Sequence, residues 1–320
     1  MNVPDDLLYS TADGTVLVGE HGDGHIALVG GASGFERLPQ VVGQAEGIAQ
    51  VGGVTYVADQ VNNSVVALTA TGLQTLIQLN PDPNGLNVDG MASDAAGTGL
   101  VVPDSPHGTV LFVDTSGHIT NQIGGFGRPA GVSVETTAQG PGYLIADENA
   151  SAVFELIGGK VTRLAGNVPG VDDVVRDAEG HVLVILPGSG ILKDVTAGAD
   201  VAGGLRNPQG LGFDGAQNLL VTESDNGRLD LVVKTFAVQV PVGVTQLVPG
   251  QSLCFGVLRA PGFTAPVHVR ELLGGFNWID PAGGTSGEVM PSPCNAPPCI
   301  LTVVLESLVG VQYAHISYRD

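Results

Sequence analysis

One pattern recurs six times in the first three quarters of the chain: a short apolar run ends at an acidic position, and a second apolar run begins five residues later. The clearest copy is VTYVADQVNNSVVAL at 54–68, where the acidic position is Asp59. Successive acidic positions lie 39, 45, 43, 39 and 37 residues apart. A repeat of this length predicts an architecture built from one supersecondary unit. The six positions are Glu20, Asp59, Asp104, Asp147, Leu186 and Glu223, the fifth of which lacks a carboxylate.

Two more apolar runs accompany most copies, one before the pattern and one after it. In the second repeat they are GIAQV at 47–51 and LQTLIQL at 73–79, and Gly, Asn and Asp occupy the turns between runs. Such runs predict short strands joined by tight turns, four to a repeat. Repeated four-stranded units of about 40 residues are typical of β-propellers. We therefore predict an all-β fold in which residues 1–240 form a six-bladed β-propeller.

The chain changes character near residue 241. Strand-like runs such as SLCFGVL at 252–258 and CILTVVLESL at 299–308 lie between Pro- and Gly-rich turns and lack the repeat register. This pattern favours a small antiparallel β-sandwich-like domain over 241–320, or a β extension packed on the propeller. The strand that completes the sixth blade is left open, since it could come from FAVQVPV at 236–242 or from a later segment.

The charge balance narrows the possible partners. The chain has 32 acidic and 12 basic residues, which gives a formal net charge of −20. A surface of this sign repels phosphate backbones and acidic membranes, which argues against nucleic acid as a partner. Acidic residues also keep a protein in solution without any further role. No apolar run reaches the 18 residues of a membrane span, and we expect a monomer that acts on a small-molecule substrate or ligand.

The three cysteines give an indication of the cellular compartment, because disulfides form outside the cytoplasm. Cys294 and Cys299 enclose the short CNAPPC loop and could form a disulfide, and a pairing with Cys254 is the alternative. A disulfide indicates export. The N-terminal residues MNVPDDLLYS do not resemble a signal peptide, so the protein is either cytoplasmic or exported with its signal peptide removed. We expect a secreted or periplasmic protein.

The first strand of each blade lines the central channel of a propeller, so the residues that open these strands converge on one axis. Carboxylates around a narrow channel repel one another unless a cation or protons neutralise them. Oxygen ligands from several strands suit Ca²⁺ or another divalent cation, whereas zinc is disfavoured because no His or Cys joins the set. The alternative is ordinary turn chemistry, in which an acid before a glycine caps its own loop. Counting back from the acidic positions, the set is Asp6, Glu46, Asp89, Ala130, Asp172 and Gln209.

The six acidic positions are expected on the face of the propeller where the inner strands begin. Two histidines are expected on the same face. His21 follows Glu20, and His107 lies three residues after Asp104. A histidine beside a carboxylate is a candidate general base, so His21, His107 and Asp104 are candidate catalytic residues. The alternative is that the acids satisfy backbone N–H groups in Asx-type turns and that the histidines are inert loop residues.

The repeat text resembles a known group of proteins. ADQVNNSVVAL at 58–68 and TESDNGRLDLV at 222–232 resemble NHL-type repeats and the wider group of six-bladed propellers that includes gluconolactonase/SMP-30-like and strictosidine-synthase-like proteins. The resemblance implies a divalent cation, typically calcium, held in the channel by Glu, Asn and Asp side chains. Glu46, Asp89 and Asp172 match these by position. Ala130-Gly131 and Gln209-Gly210 replace the Asn-Gly openings of that group.

The sequence is compatible with three functions. The first is a Ca²⁺-dependent hydrolase of a lactone or related ester, in which the metal polarises the carbonyl and His21, His107 or Asp104 activates water. The second is a non-catalytic binding module for a glycan, peptide or surface partner. The third is a lyase on the same scaffold, with a metal and a histidine base.

Overall fold

The computed structural model describes residues 1–30, 34–80, 82, 87–215 and 218–232, and seven further strands between residues 236 and 318. It confirms the six-bladed β-propeller. Five blades are four-stranded antiparallel sheets of consecutive strands, and the sixth has three strands among the described residues. No helix in this part of the chain is long and apolar enough to cross a membrane.

The strands follow the repeat in chain order. Blade 1 has β1 (Pro4–Ser10), β2 (Thr15–Glu20), β3 (His25–Gly30) and β4 (Gly34–Val41), and blade 2 has β5 (Ala45–Val51), β6 (Val54–Asp59), β7 (Ser64–Thr69) and β8 (Gly72–Gln78). Blade 3 has β9 (Ala92–Ser93), β10 (Gly99–Asp104), β11 (Thr109–Asp114) and β12 (Ile119–Gly124), and blade 4 has β13 (Pro129–Thr137), β14 (Gly140–Asp147), β15 (Ala152–Ile157) and β16 (Lys160–Gly166). Blade 5 has β17 (Val174–Arg176), β18 (Val182–Leu186), β19 (Ile191–Asp194) and β20 (Ala199–Gly203), and blade 6 has β21 (Pro208–Phe213), β22 (Leu219–Glu223) and β23 (Arg228–Val232).

The core lies between neighbouring blades, because both faces of each sheet are covered. Ile26 of blade 1 packs in one cluster with Ile48 and Val57 of blade 2. The middle strands are therefore almost wholly apolar; β18, for example, reads VLVIL and is buried throughout. Each large aliphatic side chain that is fully buried contributes about 1.5–3 kcal/mol relative to exposure. This packing fixes the inner strands and hence the channel.

In several blades the acid at the end of the second strand holds the loop that enters the inner strand. Asp59 accepts backbone N–H groups of Gly43 and Gln44, at 3.0 and 3.3 Å. Asp147 accepts those of Gly127 and Arg128, at 2.6 and 2.9 Å. The interpretation of these acids as acceptors for backbone N–H groups is confirmed for both. Their anchoring positions the residues that reach the channel mouth.

The ring closes by contacts between blades 6 and 1. The Met1 amino group donates to the Gly227 carbonyl at 3.0 Å. The Thr222 hydroxyl donates to the Asp5 carbonyl, and the Ser224 hydroxyl donates to the Pro4 carbonyl. Because β1 pairs with β2 and β21 with β22, neither inner strand belongs to the sheet of the other blade.

Seven strands follow the propeller repeats: β24 (Phe236–Gln239), β25 (Leu253–Arg259), β26 (His268–Leu272), β27 (Gly275–Ile279), β28 (Ser286–Met290), β29 (Cys299–Ser307) and β30 (Gly310–Tyr318). They form two sheets, ordered β24-β25-β28-β27 and β26-β29-β30. Residues 236–239 pair with β25 rather than with β23, so this part of the FAVQVPV run does not complete blade 6. The sandwich-like packing and the cysteine pairing stay predictions, since those side chains lie outside the described residues.

Candidate functional site

The strand register identifies the residues that open the inner strands. Glu20 pairs with Pro4, and Asp59 pairs with Ala45. The next residue along each inner strand is therefore Asp5 in blade 1 and Glu46 in blade 2. Counting back from the acidic positions placed Asp6 in this set, and the structure places Asp5 there instead. The hairpin between the first and second strands varies in length from blade to blade, so counting back from the acidic position could not distinguish the two aspartates.

Asp6 occupies a second layer, where most blades have glycine. At the equivalent position of blade 2, a Cβ on Gly47 would lie 2.3 Å from the Met91 backbone nitrogen, because the next inner strand approaches closely. In blade 1 the Asp6 carboxylate instead accepts the Ile48 backbone N–H, at 3.0 Å. Asp173 of blade 5 similarly accepts the Leu211 backbone N–H, at 2.7 Å. These two aspartates therefore link neighbouring inner strands below the channel mouth.

The channel mouth is a cavity of about 260 Å³. Four of the predicted metal ligands line it together, namely Glu46, Asp89, Asp172 and Gln209. Asp5 and His21 line it as well. The convergence of the inner-strand acids on one axis is thus observed, with Asp5 in place of Asp6.

A cluster of three possible metal ligands lies inside this cavity. The ligand atoms of Asp5, His21 and Glu46 all lie within 4.8 Å of one another. Nδ1 of His21 contacts Oε1 of Glu46, and the Glu46 side chain is almost fully buried. On the other side of the imidazole ring, the Gln44 amide Nε2 donates to His21 Nε2 at 3.0 Å. The expectation that no histidine joins the channel acids was wrong, because the loop after β2 carries His21 across the blade boundary.

Arg128 is a cation at the same cavity that the sequence analysis did not identify. Its guanidinium donates to Asp89 at 3.0 Å and also pairs with Glu148. The Arg128 Nε is buried and has no hydrogen-bond partner among the described residues. Arg128 lies two residues before Ala130, and Gln44 and Asn207 occupy the same place before Glu46 and Gln209. Aligning the residues two places before each inner-strand opening would have found these positions.

The carboxyl groups of the channel are buried close together, and this raises their pKa values. Burial, together with the charges of Glu46 and Asp89, raises the pKa of Asp5 well above its ordinary value. Burial and the Asp89 charge do the same to the pKa of Glu46, and burial raises the pKa of Asp173 to about 7. Carboxylates in this state require protons or a bound cation. Arg128 supplies one positive charge, which leaves most of the cluster uncompensated.

The other two predicted catalytic residues lie together but elsewhere. His107 Nδ1 and Asp104 Oδ1 are 2.8 Å apart, across the 3₁₀ turn Ser105–His107. The His107 side chain is 47% exposed. Neither residue lines the cavity that contains His21 and Glu46. The structure thus separates the His107–Asp104 pair from His21.

Comparison with known proteins finds similar folds among solved structures. No family model and no curated protein matches the chain. Among solved structures, virginiamycin B lyase from Staphylococcus aureus is 12% identical with a TM-score of 0.54, over 98% of this chain and 95% of that one. Regucalcin from Agrobacterium tumefaciens, described as a calcium-binding protein, is 18% identical with a TM-score of 0.55, over 69% of this chain and 82% of that one. A gluconolactonase from Xanthomonas campestris is 14% identical with a TM-score of 0.55, over 70% and 84%.

These similarities establish a shared architecture. The predicted likeness to propellers of the SMP-30-like group is confirmed as a likeness of fold. At 12–18% identity, the activities of these proteins do not transfer by similarity alone. Function must be argued from the cavity itself.

Proposed function

We propose that this chain is a divalent-cation-dependent hydrolase that opens a lactone or related ester at the channel mouth. The observation that carries the proposal is the cluster of Asp5, His21 and Glu46 in a cavity that also contains Arg128. Support comes from the fold that the chain shares with a gluconolactonase and with the calcium-binding regucalcin.

The residues present fit a divalent cation. Asp5 and Glu46 interact through their carboxyl groups, and burial raises the pKa of each well above the ordinary value. A cation bound between them would relieve this repulsion, and carboxylate oxygens are common ligands of divalent cations. When bound, such a cation supplies positive charge that polarises an ester carbonyl.

The remaining side chains of the cavity suit a polar substrate. Arg128 presents its guanidinium beside Asp89, and this group can bind oxygen atoms of a substrate. Gln60, Asn207 and Gln209 line the cavity with amide groups that can bind hydroxyl or carbonyl groups. The hydrogen-bonding groups therefore favour a small oxygen-rich substrate over an apolar one.

We assign to Asp172 the role of accepting a proton from an attacking water molecule. It lines the same cavity as Glu46 and Arg128. Burial beside Asp89 and Asp5 raises its pKa well above the ordinary range, which makes its carboxylate a stronger base than an exposed one. The proposal does not use His107 or Asp104, because they lie outside the cavity lining.

The test is hydrolysis of a panel of lactones and aryl esters by the chelator-treated protein, before and after addition of Ca²⁺, Mn²⁺ or Zn²⁺. The proposal expects turnover that is lost on chelation, restored by a cation and absent in Glu46→Gln. Asp200→Asn is the matched control, since the Asp200 side chain is 56% exposed and pairs with Lys193 on the surface. Turnover that persists in chelator, or in Glu46→Gln, would contradict the proposal.

A lyase is the second candidate, and one observation favours it. The similarity to virginiamycin B lyase extends over 98% of this chain, whereas that to the gluconolactonase extends over 70%. Reaction in ¹⁸O-labelled water separates the two functions, because hydrolysis incorporates one labelled oxygen and elimination leaves an unsaturated product without label. Cation binding without turnover of any substrate would instead support the binding-module alternative.

A further inference from the structure

We infer that the channel of this protein selects Zn²⁺ or a similar borderline transition-metal ion over Ca²⁺, and that His21 is the ligand that sets this preference. The inference rests on the proposed function only in requiring a cation in the same cavity. It concerns the identity of the ion and of one ligand, and it can fail while the hydrolase proposal stands.

His21 brings a nitrogen donor to the cavity. His21 follows β2 in blade 1, yet its imidazole Nδ1 reaches Glu46 at the opening of β5 in blade 2. Asp5 completes a group of ligand atoms within 4.8 Å of one another. Imidazole nitrogen suits zinc, copper, iron and nickel, whereas calcium takes oxygen ligands. Three protein ligands of nitrogen and oxygen type, with room for a further ligand, are typical of a catalytic zinc site.

The inner strands supply few free carboxylate oxygens for a calcium ion. Calcium takes six to eight oxygens. The fourth inner strand opens with Ala130, whose side chain has no oxygen to offer. One oxygen of Asp89 is already bound by Arg128, at 3.0 Å. The inner-strand side chains therefore offer fewer free carboxylate oxygens than six blades could supply.

The second ring nitrogen of His21 also has a partner, Gln44. A histidine that binds a metal usually donates its other ring N–H to an acceptor. Gln44 lies at His21 Nε2, where its amide nitrogen donates at 3.0 Å. Rotation of this amide presents its oxygen to a protonated Nε2 and leaves Nδ1 free for a metal, so the ring keeps one proton in both arrangements. Gln44 is thus a positioning residue for His21.

The experiment is a set of competition titrations with Zn²⁺, Co²⁺ and Ca²⁺ on the chelator-treated full chain, read by calorimetry and by the visible absorption of bound Co²⁺. We expect Zn²⁺ to bind more tightly than Ca²⁺ and the order to reverse in His21→Asn, which offers oxygen instead of nitrogen. Gln44→Leu should weaken Zn²⁺ binding by about 10- to 100-fold and leave Ca²⁺ binding unchanged.

Two histidine variants serve as matched controls. Among the described residues, His25 belongs with Glu20 and Asp23 to a second group of three possible ligands, and His107 pairs with Asp104 outside the cavity. His25→Asn and His107→Asn should keep the wild-type order of affinities and the Co²⁺ spectrum.

The outcomes distinguish this inference from the proposed function. Tighter binding of Ca²⁺ by the wild type, or tight Zn²⁺ binding that His21→Asn leaves unchanged, would overturn the inference while a cation-dependent hydrolase remains. Loss of Zn²⁺ binding in His25→Asn would place the ion at the other cluster and would also overturn it. Absence of any cation binding would overturn both.

Discussion

His21 and Glu46 meet across the boundary between the first two blades, with imidazole Nδ1 against carboxylate Oε1. The histidine comes from the loop after the second strand of blade 1, and the glutamate opens the inner strand of blade 2. Neither blade could form this pair alone. The contact shows how a propeller makes a site from separate repeats: rigid inner strands supply acids, and the loops between strands supply the other groups.

Substitution of Asp5 and of Asp6 tests the assignment of the channel acids. Asp5 lies in the cavity beside His21 and Glu46, whereas Asp6 binds the Ile48 backbone N–H. Asp5→Asn should therefore abolish tight cation binding, as measured by calorimetry. Asp6→Asn keeps an oxygen acceptor for Ile48 and should retain binding within a few-fold. The reverse order of effects would show that Asp6 is the ligand.

The pH dependence of stability tests the crowding of the channel carboxyls. Burial raises the pKa of Asp173 to about 7, from the ordinary value of 3.8. A group whose pKa is higher in the folded protein stabilises it fully below the unfolded-state pKa, and this contribution is lost as the pH rises through the folded-state pKa. In chelator, the free energy of unfolding should therefore fall between pH 4 and pH 7, as measured with urea.

Two comparisons control that measurement. Asp173→Asn should reduce the fall, because it removes one group that titrates in this range. A saturating divalent cation should restore stability at the high-pH end. Glu223 and Asp114 act in the opposite direction and mainly below about pH 5, since hydrogen bonds lower the pKa of each to about 2. A chelated protein whose stability is constant or rises from pH 4 to pH 7 would contradict the described electrostatics.

The sequence predicted the fold well because the information is local and repeated. An apolar run, an acid and a second run at a fixed step identify two strands and their turn, and six copies identify the ring. The same copies placed Glu46, Asp89, Asp172 and Gln209 around one channel. Asp5 was missed because adjacent aspartates are ambiguous when hairpin length varies. Arg128 and the His21–Glu46 contact were missed because they depend on loops that cross between blades.

Substitution of Asp147 measures how much an acid at the end of a second strand stabilises the fold by accepting backbone N–H groups. It is fully buried and accepts three backbone N–H groups, from Gly127, Arg128 and Ala150, at 2.6, 2.9 and 2.9 Å. Each buried group left unsatisfied costs about 1–3 kcal/mol, so Asp147→Ala should lower the free energy of unfolding by about 3 kcal/mol or more. Urea denaturation measures this change.

Asp104→Ala is the matched control at the equivalent position of blade 3. Asp104 is itself buried, but its partner His107 is half exposed, so water can hydrate the imidazole once the carboxylate is removed. Asp104→Ala should therefore cost less than Asp147→Ala. Equal losses for Asp147→Ala and Asp104→Ala would indicate that the backbone contacts of Asp147 do not stabilise the loop.

Substitution of Val3 tests whether its backbone conformation at the rim of the cavity destabilises the fold. It has a φ of 50°, a left-handed conformation that β-branched residues rarely adopt. Asn207, at the same place in blade 6, also has a φ of 50°. Strain of this kind costs about 1–3 kcal/mol, so Val3→Asn should raise the free energy of unfolding by about 1 kcal/mol.

The control for that variant is another exposed valine. Val61 is 56% exposed and is not among the residues with positive φ. Val61→Asn should change the free energy of unfolding by less than about 0.5 kcal/mol. A destabilised Val3→Asn would mean that side-chain contacts of Val3 outweigh the strain.

The most direct measurement is anomalous scattering from crystals of the chelator-treated protein soaked in Zn²⁺. We predict one strong anomalous peak at the channel mouth, within bonding distance of Asp5, His21 and Glu46. The same soak of Glu46→Gln crystals should lose this peak. A channel mouth without a peak in the wild type, or a peak only at Glu20, Asp23 and His25, would contradict a cation site in the channel.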